Sequence, residues 1–409
     1  MSTGLNADHR PAWRLALVVP RYGEDVLGGA ETFARCLAED LVASGLADVE
    51  VLTTCAADQF SWANVRPAGT TQLHGVRVHR FPIDPAKDRP GYERLHARLI
   101  MGEWLPLADQ YAWVHQSAHS SALYAALSRQ LPSFDFVIPV PYLFGTTYYA
   151  AAIDPARTIL WPCLHDEVYA YLQPTVDMFR ACRGVLFNTL PEQQLAERLY
   201  GALPGGRIAG FGLDPFTASG DRFRRERGLA EPFILYSGRL EPSKNLPLLL
   251  SCFEEYKRRR RGPLKLALMG TGPMAIPRRA DIVPLGFQQG QRKLDAYAAA
   301  TLLCQPSVNE SFSIVIMESW LAGVPVLVHS DCRVTRYHAE RSQGGLCFRS
   351  YEEFEAILDL LLARPELRRG LGANGRAYVQ SQYSWPAVLK RFTAALDSWR
   401  QPAQTGGAH

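Results

Sequence analysis

Residues 309–328, NESFSIVIMESWLAGVPVLV, put Glu310 in a polar loop and Glu318 in an apolar stretch of helical character, with seven residues between them. If most of that interval is helical, a rise of ~1.5 Å per residue sets the carboxylates up to ~12 Å apart along the axis. Such a spacing excludes a pair flanking one bond, since glycosidase carboxylates lie ~5–5.5 Å apart in retaining enzymes and ~6.5–9.5 Å apart in inverting ones. It suits two grips on one long ligand. Between them, the main-chain N–H groups of Ser311, Phe312, Ser313 and Ile314 point out of a helix start, where unsatisfied donors and the helix dipole favour phosphate. A sugar, a diphosphate and a ribose in sequence fit this arrangement.

A second reactive stretch lies upstream, in Tyr236-Ser237-Gly238-Arg239-Leu240-Glu241-Pro242-Ser243-Lys244-Asn245. Arg239 offers a planar fork to phosphate oxygens and Lys244 a compact charge. A diphosphate leaving group needs such positive charge as its bond to a sugar breaks.

Both stretches sit in a regular alternation of strands and helices. Leu15-Ala16-Leu17-Val18-Val19-Pro20 is a short continuous apolar run, the mark of a strand buried on both faces of a parallel sheet. A Gly-rich turn and a helix over 29–44 follow it. Further strands are expected at Val49 to Thr53, Phe136 to Val140, Thr158 to Trp161 and Gly184 to Phe187, which gives an α/β domain. Between Asp214 and Pro232 the chain turns polar and rich in Arg, Gly and Pro, and the pattern restarts at Phe233-Ile234-Leu235-Tyr236-Ser237. The second half is read as a helix over Leu246 to Lys257, a strand over Leu264 to Met269 and a helix over Gln291 to Ala300. A strand at Leu302 to Gln305, a helix from about Ser313, a strand at Val324 to His329 and helices after Tyr351 complete it.

The Glu310–Glu318 segment, with Pro306-Ser307 before it and Gly323-Val324-Pro325-Val326 after it, resembles the Glu-x7-Glu signature of the family 4 glycosyltransferases, retaining enzymes of the GT-B fold. The resemblance implies that Glu310 contacts hydroxyls of the transferred sugar and Glu318 the ribose. Ser311 and Ser313 stand where many relatives have glycine. The Gly238-Arg239 loop with Lys244 five residues on is similar to the family's Gly-Arg loop, which makes Arg239 and Lys244 the expected leaving-group stabilisers. Gly270-Thr271-Gly272-Pro273 resembles a family turn and lacks the third glycine of a dinucleotide fingerprint, so NAD is not expected. Gly286-Phe287 matches a position where main chain borders the nucleotide base. In the first half, Val26-Leu27-Gly28-Gly29-Ala30-Glu31 closes the first strand–helix loop. Glycine there lets backbone approach a ligand, and the family uses that loop near the diphosphate and the acceptor. His165 follows a buried strand and therefore sits at the ligand-binding end of its sheet. Family members commonly place a histidine or other polar group there against the donor sugar, which makes His165 the catalytic candidate of the first domain. Tyr383-Ser384-Trp385 resembles the start of the family's crossover segment, which returns to the first domain.

Other patterns carry less chemistry. His115 and His119 have i, i+4 spacing, but Gln116 replaces the glutamate of a zincin and no third ligand is near, so an ordinary helix face is the better reading. No Asp-x-Asp occurs, so no metal is assigned. Lys257-Arg258-Arg259-Arg260-Arg261 ends a helix, where it complements the dipole and is solvated; contact with anionic lipid is the other option. A net charge of +4 is too mild to imply nucleic acid. Eight scattered cysteines without a C-x-x-C pair suit a reduced, cytoplasmic protein. Met1 to Trp13 is polar and carries no signal-like pattern, no stretch reaches ~18 apolar residues, and the tail after Gln401 is expected to fray.

The expected fold class is therefore α/β with GT-B architecture: two Rossmann-like domains facing across a cleft. Residues 1–215 form the acceptor-binding domain, 216–385 the nucleotide-sugar-binding domain and 386–409 a returning helix and tail. The expected activity is metal-independent, retaining transfer of a hexose from a nucleoside-diphosphate sugar to a glycan, lipid-linked or small-molecule acceptor, as in polysaccharide biosynthesis. A GT-B epimerase, a phosphorylase or a silent binding module is the alternative. The donor base, uracil or guanine, the sugar, the acceptor and the oligomeric state stay open.

Overall fold

The computed structural model describes residues 12–400 apart from 27, 60, 86–87 and 204. The polar opening and the tail after Gln401 lie outside the described residues, as does Leu27 of the Gly-rich loop. The chain divides into two units, one running to Phe211 and resuming at Leu389, the other Gly212–Val388.

In the first unit, β1 (Trp13–Val18), β2 (Ala47–Thr54), β3 (Gly69–Leu73), β4 (Val76–Phe81) and β5 (Phe136–Pro139) form a sheet ordered β3-β4-β2-β1-β5. All its pairings are parallel except that of β3 with β4. A bridge from Val137 to Thr158 leads to a second parallel group, β6 (Ile159–Leu160), β7 (Gly184–Phe187) and β8 (Gly206–Ile208). The apolar runs that mark β1, β5, β6 and β7 are buried almost throughout, because helices cover both faces of a parallel sheet. The helix Trp385–Arg400 closes this unit from Leu389 onward. Phe392 stacks on Trp161 at 5.7 Å, and the Arg391 guanidinium donates to the Ala209 carbonyl. Trp399 packs so closely on Gly184 and Gly205 that a Cβ added at either would collide with its ring.

The second unit holds one parallel sheet of six strands: β9 (Phe233–Ser237), β10 (Lys265–Met269), β11 (Ile282–Gly286), β12 (Leu302–Gln305), β13 (Val326–His329) and β14 (Gly345–Phe348). Their order, β11-β10-β9-β12-β13-β14, is that of a Rossmann sheet. The chain winds outward in one direction from β9 and in the other from β12. The crevice at the carboxyl ends of these two neighbours is therefore the topological switch point, where such sheets bind ligands.

The polar stretch between Asp214 and Pro232 contains a helix, Gly220–Arg227, with Phe223 as its one buried residue. Its anchor is electrostatic, since Arg222 forms a two-point pair with the buried Asp295 at 2.5 and 2.8 Å. That pairing holds Asp295 low, at about 2.

Candidate active site

The loops leaving β9 and β12 carry the two motifs, so the switch point assembles them. After β9 the backbone turns at Gly238, with φ +154, a conformation that a side chain rarely adopts. Gly270 and Gly272 pack against this turn, and Cβ atoms on them would collide with the carbonyls of Gly238 and Leu240. The Gly-x-Gly-Pro turn thus shapes the neighbouring loop. Two backbone bonds join the loops, Gly238 N–H to Met269 O at 3.0 Å and Leu240 N–H to Thr271 O at 2.9 Å. Arg239 extends toward solvent and pairs with Glu241 at 3.0 Å.

Lys244 ends a short 3-10 turn whose following residue, Asn245, is left-handed at φ +55 and donates from its amide to the Pro306 carbonyl at 3.0 Å. This bond ties the lysine loop to the loop after β12. There Lys244 Nζ donates to Glu310 Oε1 at 2.9 Å, and both side chains are largely shielded from water. Gln305, the last residue of β12, reaches the same oxygen at 3.4 Å.

The helix carrying Glu318 runs Ile314–Leu321, and its N-cap Ser313 has φ +71 and ψ +74 with no side-chain cap. This is the left-handed region that glycine enters freely and other residues rarely adopt. The Ser313 hydroxyl is buried without a hydrogen-bond partner. Phe312 is buried and anchors the loop in an aromatic cluster, edge-on to Tyr383 at 5.0 Å and to His338 at 5.5 Å. His338 shares a hydrogen bond at Nδ1 with the Tyr378 hydroxyl at 3.0 Å, and burial pulls its pKa down to about 3.

Glu318 is gripped at both oxygens. Lys293 Nζ donates to Oε1 at 2.5 Å, and the buried Tyr297 hydroxyl lies 2.9 Å from Oε2 and 2.9 Å from Ser237 Oγ. Burial and the adjacent carboxylate hold the Tyr297 phenol well above its ordinary range, so it stays a neutral donor. Lys293 and Tyr297 occupy one face of the helix Gly290–Ala299. Neither stands in a motif. Their i, i+4 spacing is visible in the sequence, but Tyr297 reads as a core residue until its helix is known to face Glu318. Phe287, at the carboxyl end of β11 beside Gly286 (φ +66), is exposed. Gly238, Arg239, Lys244, Glu310, Ser311, Phe312, Ser313, Ile314 and Glu318 thus lie on loops and a helix from the adjacent strands β9 and β12, with Phe287 two strands away.

Gly28, Gly29 and His165 lie in the first unit, at the carboxyl ends of β1 and β6. A Cβ on Gly28 would collide with the Glu31 carboxylate, so glycine there makes room for an acid. Glu31 is buried in an ion pair with Arg21, beyond the service to the helix dipole that its position suggests. Gly29 begins the helix Gly29–Ala43 in open space. His165 lies 3.8 Å from Glu167, in a loop that Glu192 fixes. The fully buried Glu192 carboxylate accepts the Leu164 and Asn188 N–H groups at 2.6 Å each. Its pKa is raised to about 8 by burial. No pattern of residues signals this contact, because Glu192 looks like a first-turn acid of its helix.

His115 lies one residue before the end of its helix at Gln116 and His119 lies beyond it, so the pair does not share a helical face. No group of three His, Cys, Asp or Glu side chains suited to a metal occurs among the described residues. Four members of the basic run are engaged: Lys257 with the Gly262 and Leu264 carbonyls, Arg258 with Glu255, Arg259 with Glu355, and Arg260 with Glu355 and Asp359. All eight cysteines are free thiols. Among the described residues no helix is long and apolar enough to cross a membrane.

Residues 220–378 match the family described as Glycosyl transferases group 1. A D-inositol 3-phosphate glycosyltransferase of Nocardia farcinica is 30% identical over 244 residues, 51% of this chain and 52% of that protein. The chain spans about half the length of the curated relatives it matches. Among solved structures, sucrose-phosphate synthase of Thermosynechococcus elongatus aligns with TM-score 0.69 and 17% identity over 94% of this chain and 98% of that one. Anabaena HepE in complex with UDP and glucose aligns with TM-score 0.69 and 15% identity over 94% and 100%. The fold is that of the GT-B glycosyltransferases, and residues 220–378 resemble the group 1 glycosyltransferases, in keeping with the resemblance to family 4.

Proposed function

We propose that the protein is a retaining hexosyltransferase that takes its sugar from a nucleoside diphosphate and needs no metal ion. The observation that carries this reading is the contact between Lys244 and Glu310 at the switch point of the second unit. A diphosphate placed over the Gly238 turn and the start of the Ile314–Leu321 helix has Arg239, Lys244 and main-chain N–H groups around it. These groups stabilise the charge that develops as the glycosidic bond breaks. Glu310 then holds hydroxyls of the transferred sugar and Glu318 the ribose. The likeness to Anabaena HepE, a protein solved in complex with UDP and glucose, favours a uridine donor. The acceptor is a hydroxyl of a glycan, lipid-linked sugar or small glycoside bound by the first unit, where Gly28, Gly29 and His165 lie. The protein is expected to work in the cytoplasm.

Incubation with UDP- and GDP-hexoses and a panel of hydroxyl acceptors, in excess EDTA, tests the reading. Release of the nucleoside diphosphate with transfer of the sugar is expected. Activity that disappears in EDTA and returns with Mg²⁺ would move the leaving-group charge from Arg239 and Lys244 to a metal.

A further inference from the structure

Lys293 stands outside both motifs, yet it makes one of the shortest contacts in the second unit, 2.5 Å to Glu318 Oε1. The contact is built. The opposite oxygen, Oε2, is fixed by Tyr297, which is itself held by Ser237 at the end of β9. Glu318 is only 14% exposed and cannot swing away, while Lys293 keeps 31% of its side-chain surface open. The ammonium therefore presents its remaining protons beside a carboxylate whose position is set by three elements.

A hydroxyl group both donates and accepts hydrogen bonds. A carboxylate alone meets only the first need. With Lys293 beside it, Glu318 becomes a paired acceptor and donor within 2.5 Å, and adjacent hydroxyls on one ring edge are the chemistry that satisfies both. We propose that Lys293 is a specificity residue for the cis-diol of the donor's ribose, donating to the oxygen of a hydroxyl whose neighbour donates to Glu318. This rests on the reading of the second unit as a nucleotide-sugar site. It goes beyond that reading in assigning discrimination between ribose and deoxyribose to a side chain on a different helix.

The test is calorimetric binding of UDP and 2′-deoxy-UDP, and of GDP and 2′-deoxy-GDP, to the wild type, Lys293→Met and Lys293→Arg. Hydrogen bonds to charged groups are the stronger ones in proteins, so the wild type is expected to prefer the ribonucleotide by roughly tenfold or more. Lys293→Met should bring the ribo-to-deoxy ratio close to one, chiefly by weakening the ribonucleotide, and Lys293→Arg should restore part of it. Melting without ligand, expected near the wild-type value for all three proteins because the side chain is partly exposed, identifies any variant that has failed to fold; Lys293→Arg then carries the comparison. A Lys293→Met protein that binds both sugars with the wild-type ratio overturns the assignment while leaving the nucleotide site in place. A wild type that binds none of the four nucleotides removes the functional reading itself, and this assignment with it.

Discussion

Lys244 and Glu310, 66 residues apart in the chain, meet at 2.9 Å with side chains 21% and 11% exposed. Neither charge is well solvated, so each depends on the other until a ligand intervenes. In the proposed function a phosphate at Lys244 would compete with Glu310 for the ammonium, and a sugar at Glu310 would take over the freed oxygen. On that proposal the pair exchanges one mutual contact for two contacts with the donor.

Removing the cation should therefore damage turnover more than binding. Lys244→Ala and Arg239→Ala are each expected to lower kcat on the order of 10²-fold or more, as when a donor aimed at developing charge is deleted. Arg239 is the more exposed and already shared with Glu241 at 3.0 Å, so its loss should be the smaller of the two. Steady-state kinetics of both variants decide this, and near-normal turnover in Lys244→Ala would place the leaving group elsewhere.

In the proposed function Glu318 holds the ribose, a part of the donor that does not change during reaction. Glu318→Ala is expected to raise the donor KM with little change in kcat, since uniform binding lowers KM alone. Tyr297→Phe removes the hydrogen bonds to both Ser237 and Glu318 without changing the ring, and should raise KM in the same direction by a smaller factor. Equal loss of kcat and kcat/KM in Glu318→Ala would mean that the carboxylate touches the reacting sugar.

The aromatic anchor of Phe312 makes acid stability another readout. His338 is buried and its pKa is depressed to about 3 from 6.5, so the native state favours the neutral ring. Its contribution to stability is present above about pH 6.5 and is lost as the pH falls from there toward 3, because the unfolded chain takes up a proton that the native ring refuses. Wild-type melting temperature should accordingly fall more steeply between pH 6.5 and 4 than that of His338→Phe. Parallel slopes would show that the ring is protonated in place.

The parts of this molecule that are legible in sequence are those governed by local rules. β1, β9 and β12 announce themselves as apolar runs, and Arg239, Lys244, Glu310 and Glu318 stand in short segments of fixed spacing. The hairpin of β3 and β4 does not, since Gly69–Leu73 is an exposed edge without alternation. Helix Gly220–Arg227 escapes notice because its anchor is the pair between Arg222 and Asp295, 73 residues away, rather than an apolar stripe. Lys293, Tyr297 and Glu192 escape for the same reason. What each does is decided by a partner in another element, and charge or hydroxyl chemistry at a single position does not name that partner.

The bond formed should keep the donor's anomeric configuration, so an α-linked nucleotide sugar is expected to give an α-glycoside. Retention by double displacement needs a carboxylate nucleophile on the face of the sugar opposite the leaving group. Glu310 is the nearest candidate in sequence terms, but its oxygen is held 2.9 Å from Lys244 Nζ. If Lys244 binds the departing diphosphate, Glu310 stands on the leaving-group side, badly placed for attack from behind. The route left to it is a front-face substitution, in which the diphosphate oxygen released from the sugar takes the acceptor's proton while the ring has oxocarbenium character. In that route Arg239 and Lys244 would stabilise that oxygen as the bond lengthens, and Glu310 would orient the sugar hydroxyls. The coupling constant of the anomeric proton in the product reads the stereochemistry directly. An inverted product would remove the retaining assignment, whereas a covalent glycosyl adduct trapped on Glu310 would keep retention and replace the front-face route by double displacement.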